Sequence, residues 1–214
     1  MPWMCQNYKT GCQEIKMNVE DLQHHQRKCI YRKVFCPSPK KNCQNNKIVF
    51  KDVIEHLETS HKVLDVGVKN QTFRFFGTER NSFENMVENG RPWAPGKFAT
   101  SCGAVFFTTA KIVNESFCFL LTFMGSSDEA ENYSSSISIK DRKEINKFNF
   151  TGAVHTLDEK VDDIIASGLL LSIGINAAKS LLNAKEKLKV EITIRNLKEE
   201  AKDEDIESGV SDGE

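Results

Sequence analysis

The spacing Cys-x6-Cys-x12-His occurs twice in succession in the first third of this chain, and no other feature constrains its fold as strongly. The first copy runs Cys5, Cys12, His25 and closes with Cys29; the second runs Cys36, Cys43, His56 and closes with His61. Structural zinc takes four cysteine or histidine donors in a closed tetrahedron, and Cys3His and Cys2His2 are common sets. Two such quartets in succession predict two small units that fold around zinc. A catalytic zinc would keep an open position beside an acid or base. Both quartets are complete and no His-Glu-x-x-His pattern occurs, so the metals are assigned to folding.

Within the first unit, Gly11 lets the backbone turn back towards the metal at low steric cost. Asn18 followed by Asp21 has the form of a helix N-cap with an acidic first turn. His25 and Cys29, four residues apart, then share one face of that helix. His24 competes with His25, but at five residues from Cys29 it fits a regular helix less well, and His25 is preferred. The second unit repeats the plan, with a helix from about residue 50 that carries His56 and is covered by Phe50, Val53 and Leu57. His61, five residues beyond His56, requires a looser helix end.

After His61 the pattern changes to short apolar or alternating runs. They read as strands at 72–76, 103–113, 117–124, 134–139, 147–154, 169–173 and 188–195. Val190, Ile192 and Ile194 alternate with polar partners, the mark of a strand with one buried face. Seven short strands with little helix predict an all-β antiparallel sandwich. Residues 162–167 and 177–182 read as short helical turns. Residues 81–96, with Pro92, Trp93 and Pro95, read as a long loop. Nothing around His155 has the context of a nucleophile, and no glycine-rich phosphate loop precedes a helix.

The expected organisation is therefore tandem fingers over 1–64, a sandwich over 65–198 and a tail over 199–214. The formal net charge of −1 hides an uneven distribution. Eight acidic residues against Lys202 give the tail −7, which leaves +6 on the body. With almost no apolar residues, the tail is expected to be disordered. No run approaches the roughly 18 apolar residues of a membrane span, so no membrane partner is expected. Met1-Pro2-Trp3-Met4-Cys5 lacks a basic end followed by an apolar stretch, which predicts a cytoplasmic or nuclear protein. In such reducing compartments clustered cysteines serve as metal ligands. Cys102 and Cys118 remain as expected core thiols.

These residues together resemble the seven-in-absentia (SINA/SIAH) family of ubiquitin ligases, from Cys5 to about Asn196. The resemblance rests on Gly11-Cys12, on His25-x3-Cys29-Ile30-Tyr31-Arg32, on Cys36-Pro37 with Cys43, and on His56-x4-His61. The stretch from Phe123 to Tyr133 and the strand Val190-Glu191-Ile192-Thr193-Ile194 add to it. It implies a TRAF-like sandwich, akin to that of tumour-necrosis-factor-receptor-associated factors, that binds protein substrates bearing a degron and pairs as a homodimer. TRAF proteins place a long heptad helix before their sandwich. Val63 follows the second finger directly, so no such coiled-coil trimer is expected.

Members of the family bind an extended, proline-containing degron along an edge strand, and matching their pattern points to Phe98 and Thr78 as groove residues. In the family a RING finger precedes the two zinc fingers and recruits the conjugating enzyme. Residues 1–214 do not hold the eight further ligands a RING needs, so substrate recognition without ligase activity of its own is expected. The rival is a nucleic-acid-binding zinc-finger protein. Arg27, Lys28, Arg32, Lys33, Lys40 and Lys41 could meet phosphates. DNA-reading fingers use a Cys-x2-4-Cys turn, which the six-residue loops here do not match, and nucleic acid is not an expected partner.

Overall fold

The computed structural model describes residues 1–40, 42–43, 46–69, 72–76, 83–141, 143–182 and 187–198; the acidic tail lies outside the described residues. In the first finger, β1 (Trp3–Met4) pairs antiparallel with β2 (Ile15–Lys16), and α1 (Val19–Lys28) follows. Asn18 caps α1 as expected: its Oδ1 accepts the Asp21 N–H at 2.7 Å. Gly11 sits at φ +113°, and a Cβ there would lie 2.9 Å from the Tyr31 ring, so only glycine fits. In the second finger, β3 (Lys33–Phe35) pairs with β4 (Lys47–Val49), and a 3-10 turn leads into α2 (Val53–His61). Lys62, left-handed at φ 51°, ends α2.

The remaining strands are β5 (Leu64–Lys69), β6 (Thr72–Phe76), β7 (Gly96–Thr100), β8 (Val105–Val113), β9 (Ser116–Phe123), β10 (Tyr133–Lys140), β11 (Lys147–Ala153), β12 (His155–Thr156), β13 (Leu171–Gly174) and β14 (Lys189–Asn196). Between them lie α3 (Phe83–Asn89), α4 (Ser127–Ala130), α5 (Val161–Ser167) and α6 (Ile175–Ser180). One sheet has the order β11-β10-β14-β6. The other has the order β12-β9-β8-β7-β5, with β13 also pairing β9. The core joins Trp93, Phe98, Phe106, Phe117 and Phe119 to Ile137, Ile139, Val190, Ile192 and Ile194. The alternation read at Val190, Ile192 and Ile194 thus marks the inward face of β14. β8 and β9 meet in a two-residue turn whose central residues, Asn114 and Glu115, both have positive φ, the hairpin geometry that matches strand twist.

All seven expected strands are present. β5, β7 and the short β12 add to them, and the 81–96 segment contains α3, anchored by buried Phe83 and Met86. The sheet containing β9 is mixed, since β5–β7 and β12–β9 run parallel, while the β11-β10-β14-β6 sheet is antiparallel throughout. Between β5 and β7 the chain passes through β6 of the opposite sheet and α3. A crossover of that kind returns a strand in its original direction.

The second finger is built into the sandwich. Val34, Cys36, Cys43, Val53 and Leu57 form one cluster with Phe107 and Leu157. The Phe35 N–H donates to Leu157 O at 2.7 Å, and Thr109 Oγ1 donates to Pro37 O at 2.6 Å. The first finger has its own small core of Cys5, Cys12, Leu22 and Cys29, with Tyr31 packed against it. No helix among the described residues is long and apolar enough to cross a membrane.

Candidate metal centres

Each finger delivers two donors from a β-ribbon and its loop and two from a helix or its end. The structure brings Cys5, Cys12, His25 and Cys29 into one cluster and Cys36, Cys43, His56 and His61 into a second. Within each, the ligand atoms lie within 4.8 Å of one another. In the first, Cys5 Sγ is 3.9 Å from Cys29 Sγ, and Cys12 Sγ is 3.3 Å from His25 Nε2. In the second, Cys36 Sγ is 3.4 Å from His61 Nε2 and Cys43 Sγ is 3.4 Å from His56 Nε2. Cys43 Sγ to His61 Nε2 is 3.2 Å, and the two Nε2 atoms are 3.1 Å apart. Zinc–sulfur bonds of about 2.3 Å and zinc–nitrogen bonds of about 2.0–2.1 Å give a tetrahedron with edges of about 3.3–3.8 Å. The observed separations, from 3.1 to 3.9 Å, are close to those edges, and the donor types fit zinc.

His25 joins the first cluster, whereas His24 is exposed. α2 runs to His61 as its last residue, and the His56 and His61 rings meet edge to face. Two supporting groups carry no signal in the sequence because they are backbone. The N–H of Asn7 donates to Cys5 Sγ, and the N–H of Ser38 donates to Cys36 Sγ, each at 3.4 Å. These bonds repeat two residues after the first cysteine of each quartet and orient its sulfur. Of the two remaining cysteines, Cys118 is buried as expected but Cys102 is exposed, with its sulfur 2.9 Å from Thr100 Oγ1. Cys102 sits in the turn between β7 and β8, which an apolar context alone did not show.

Burial sets the protonation of these donors. It pushes the Cys36 thiol up to about 12, aided by neighbouring Cys43, and the Cys12 thiol up to about 11, aided by Cys29 and Cys5. Burial, with His56 and Lys40 nearby, pushes His61 down to about 4 from its ordinary 6.5, and His56 is also lowered by burial. The folded second finger thus holds His61 neutral, while an unfolded chain protonates it below about 6.5. The stability this contributes is present above about pH 6.5 and is lost as the pH falls towards 4. Ligation needs the neutral ring as well, so zinc retention changes in the same direction. Dialysis at pH 5 is expected to strip zinc from the second quartet that dialysis at pH 7.5 leaves in place. Retention of two zinc ions per chain at pH 5, by metal analysis, would contradict this.

The expected groove residues fare differently. Phe98 lies on β7, 1% exposed, with its ring 5.4 Å from that of Phe106. The ring is a core element, and it is not available to a peptide at the surface. Thr78 lies outside the described residues. Arg32 has a role that sequence reasoning missed, having counted it among surface cations. It is 7% exposed, with Nη2 donating to Gly125 O at 2.7 Å and its guanidinium 3.9 Å from the Phe50 ring centre.

Paired Cys/His quartets leading into a two-sheet sandwich define a zinc-finger protein with a TRAF-like interaction domain. Residues 1–75 match the family model described as Sina, zinc finger, and residues 103–193 match Sina, TRAF-like domain. No curated protein matches the chain. The chain belongs to the seven-in-absentia (SINA/SIAH) family. It is a zinc protein of the ubiquitin pathway, and its sandwich is a substrate-binding, protein-interaction module.

Proposed function

We propose that this chain recognises protein substrates through an extended degron that adds as a strand to one edge of the sandwich. The observation that carries the proposal is the placement of β5 and β6. Each has one partner strand among the described residues, β7 for β5 and β14 for β6. Only residues 70–71 join them, yet they belong to different sheets, so both sheets offer an edge on the same side of the sandwich. An edge strand presents a row of backbone donors and acceptors. A peptide in extended conformation satisfies them, with specificity coming from side-chain pockets. Phe98 supports this edge from beneath, and Thr78, two residues beyond β6, is the candidate rim residue. Pairing of two copies through the sandwich belongs to the same proposal.

In this role Cys5, Cys12, His25, Cys29 and Cys36, Cys43, His56, His61 hold two structural zinc ions. The four other cysteines and histidines, His24, Cys102, Cys118 and His155, are too few for a RING octet, so residues 1–214 supply recognition rather than conjugating-enzyme recruitment. A reducing compartment suits seven cysteines that form no disulfide. Nucleic-acid binding is disfavoured because two of the six cations that would face phosphate are committed to the sandwich. Arg32 is buried, and Arg27 Nε lies 3.0 Å from Asp128.

Peptides selected from a random displayed library against the zinc-loaded chain provide the test. Selected sequences are expected to be extended and proline-containing, and amide shifts on titration are expected to cluster at 64–69 and 72–76. Shifts confined to the fingers, or selection of helical peptides, would refute the edge-strand assignment.

A further inference from the structure

The acidic tail has no part in the function above, and the body it is joined to carries the opposite charge. A cleft of about 510 Å³ opens where the two fingers meet the sandwich. Its lining includes Gln23, Gln26 and Arg27 of α1, together with Arg32, Lys33 and Lys47 around the β3–β4 ribbon. Some of this charge is already met: Arg27 pairs with Asp128, and Arg32 with Asp158, the acidic residue of the lining, at 3.5 Å. Lys33 and Lys47 have no ion-pair partner among the described residues; Lys47 lies over the Phe35 ring, which does not neutralise it. Arg32, although buried, leaves Nε without a hydrogen bond among the described residues. Glutamine side chains both donate and accept, as a peptide backbone requires, and the lysines complement carboxylates. The chemistry is that of a site for an extended acidic peptide.

We propose that the chain's own acidic segment, residues 199–214, occupies this cleft. The point of attachment supports it. Asn196 pairs with Tyr133, and the Leu197 N–H donates to Asn132 O at 2.9 Å. Asn132 lies just past α4, whose first residue, Ser127, lines the cleft. A helix of that length rises only about 6 Å, so the last described residues before the segment lie beside the α4 end of the cleft. At about 3.3 Å per residue the segment reaches up to about 50 Å, more than enough to cross. Its first turns of sequence carry Glu199, Glu200, Asp203, Glu204, Asp205 and Glu207. Attachment gives an effective concentration on the order of millimolar, so a weak contact suffices. Bound there, the segment would bridge both fingers and the sandwich, and an acidic partner would have to displace it.

The test keeps the full chain and compares it with a variant neutralised in the tail: Asp203→Asn, Glu204→Gln, Asp205→Asn, Glu207→Gln. At low salt, side-chain amide signals of Gln23 and Gln26 and backbone signals of Lys33 and Lys47 are expected to differ between the two. The differences should vanish at about 1 M NaCl, where screening reaches about 3 Å. A synthetic peptide of residues 199–214 added to the neutralised variant should restore the original shifts. It should bind at least tenfold more weakly when Lys33→Glu and Lys47→Glu are also present, with zinc content and circular dichroism unchanged. Identical spectra for the two chains at low salt, shifts that map outside the cleft, or peptide binding indifferent to the lysine reversals would each overturn the proposal.

Discussion

Replacing Cys43 with alanine is expected to release one zinc ion and to remove about 3–6 kcal/mol from the stability of the sandwich, far more than Cys12→Ala removes. Each substitution breaks one closed quartet. Structural zinc supplies about 10–16 kcal/mol of apparent binding energy that is also folding energy, so losing a ligand unfolds the finger concerned. The difference lies in what each finger covers. Phe107 and Leu157 of the sandwich are fully buried in the core of the second finger. Uncovering them forfeits about 1.5–3 kcal/mol each. The core of the first finger contains no sandwich residue; apart from the Arg32 bridge between Cys29 O and Gly125 O, it is tied to the sandwich by the Arg27–Asp128 pair, whose side chains are 47% and 40% exposed. Ion pairs so exposed contribute about 0–1 kcal/mol. Urea unfolding followed through Trp93, which is buried in the sandwich, in a Trp3→Phe background separates the two cases. Equal midpoint shifts for Cys12→Ala and Cys43→Ala would show that the fingers are not coupled to the sandwich as their packing implies.

The metal ladder was legible in the sequence because zinc restricts both the residue types and the spacing of its donors, and few other constraints produce the same pattern. β14 was legible for a similar reason, since one buried face imposes a period of two. β7 was not. Gly96-Lys97-Phe98-Ala99-Thr100 contains one β-branched residue, and its strand state comes from pairing with β5 and β8 at once. The signal of α3, Phe83 and Met86 three residues apart, was present but masked by Pro92 and Pro95 downstream. Parallel pairing of β5 with β7 depends on a crossover through the opposite sheet, which no local pattern encodes. Phe98 illustrates the same limit at the site. A buried and a groove-facing phenylalanine look alike until the neighbouring strand is known. Arg32 is the converse: one more cation among many in sequence, and a fastener between domains in three dimensions.

Arg32→Ala is expected to lower stability by about 2–4 kcal/mol, and Arg32→Lys should recover little of it. Nη2 donates to Gly125 O at 2.7 Å and Nη1 to Cys29 O at 3.3 Å, so one guanidinium ties the end of the first zinc quartet to the sandwich. Its face covers Phe50 at the entrance to α2, and Nε lies 3.5 Å from an Asp158 carboxylate oxygen. Hydrogen bonds to charged groups contribute about 1.5–3 kcal/mol, and a desolvated cation–π contact adds up to about 2 kcal/mol. The partner carbonyl cannot easily be supplied otherwise. A Cβ on Gly125 would lie 2.0 Å from the Phe123 ring, so this turn is fixed by a close aromatic contact. Lysine offers a point charge without the planar fork and cannot reach two carbonyls while stacking on a ring. The decisive readout is cooperativity. With Arg32 in place, the second finger and the sandwich should melt in one transition, and in Arg32→Ala the α2 signal should be lost at lower urea than the Trp93 signal. A single transition shifted by less than about 1 kcal/mol would mean that the shared apolar cluster alone couples the two units, with Arg32 contributing no more than an ordinary surface cation.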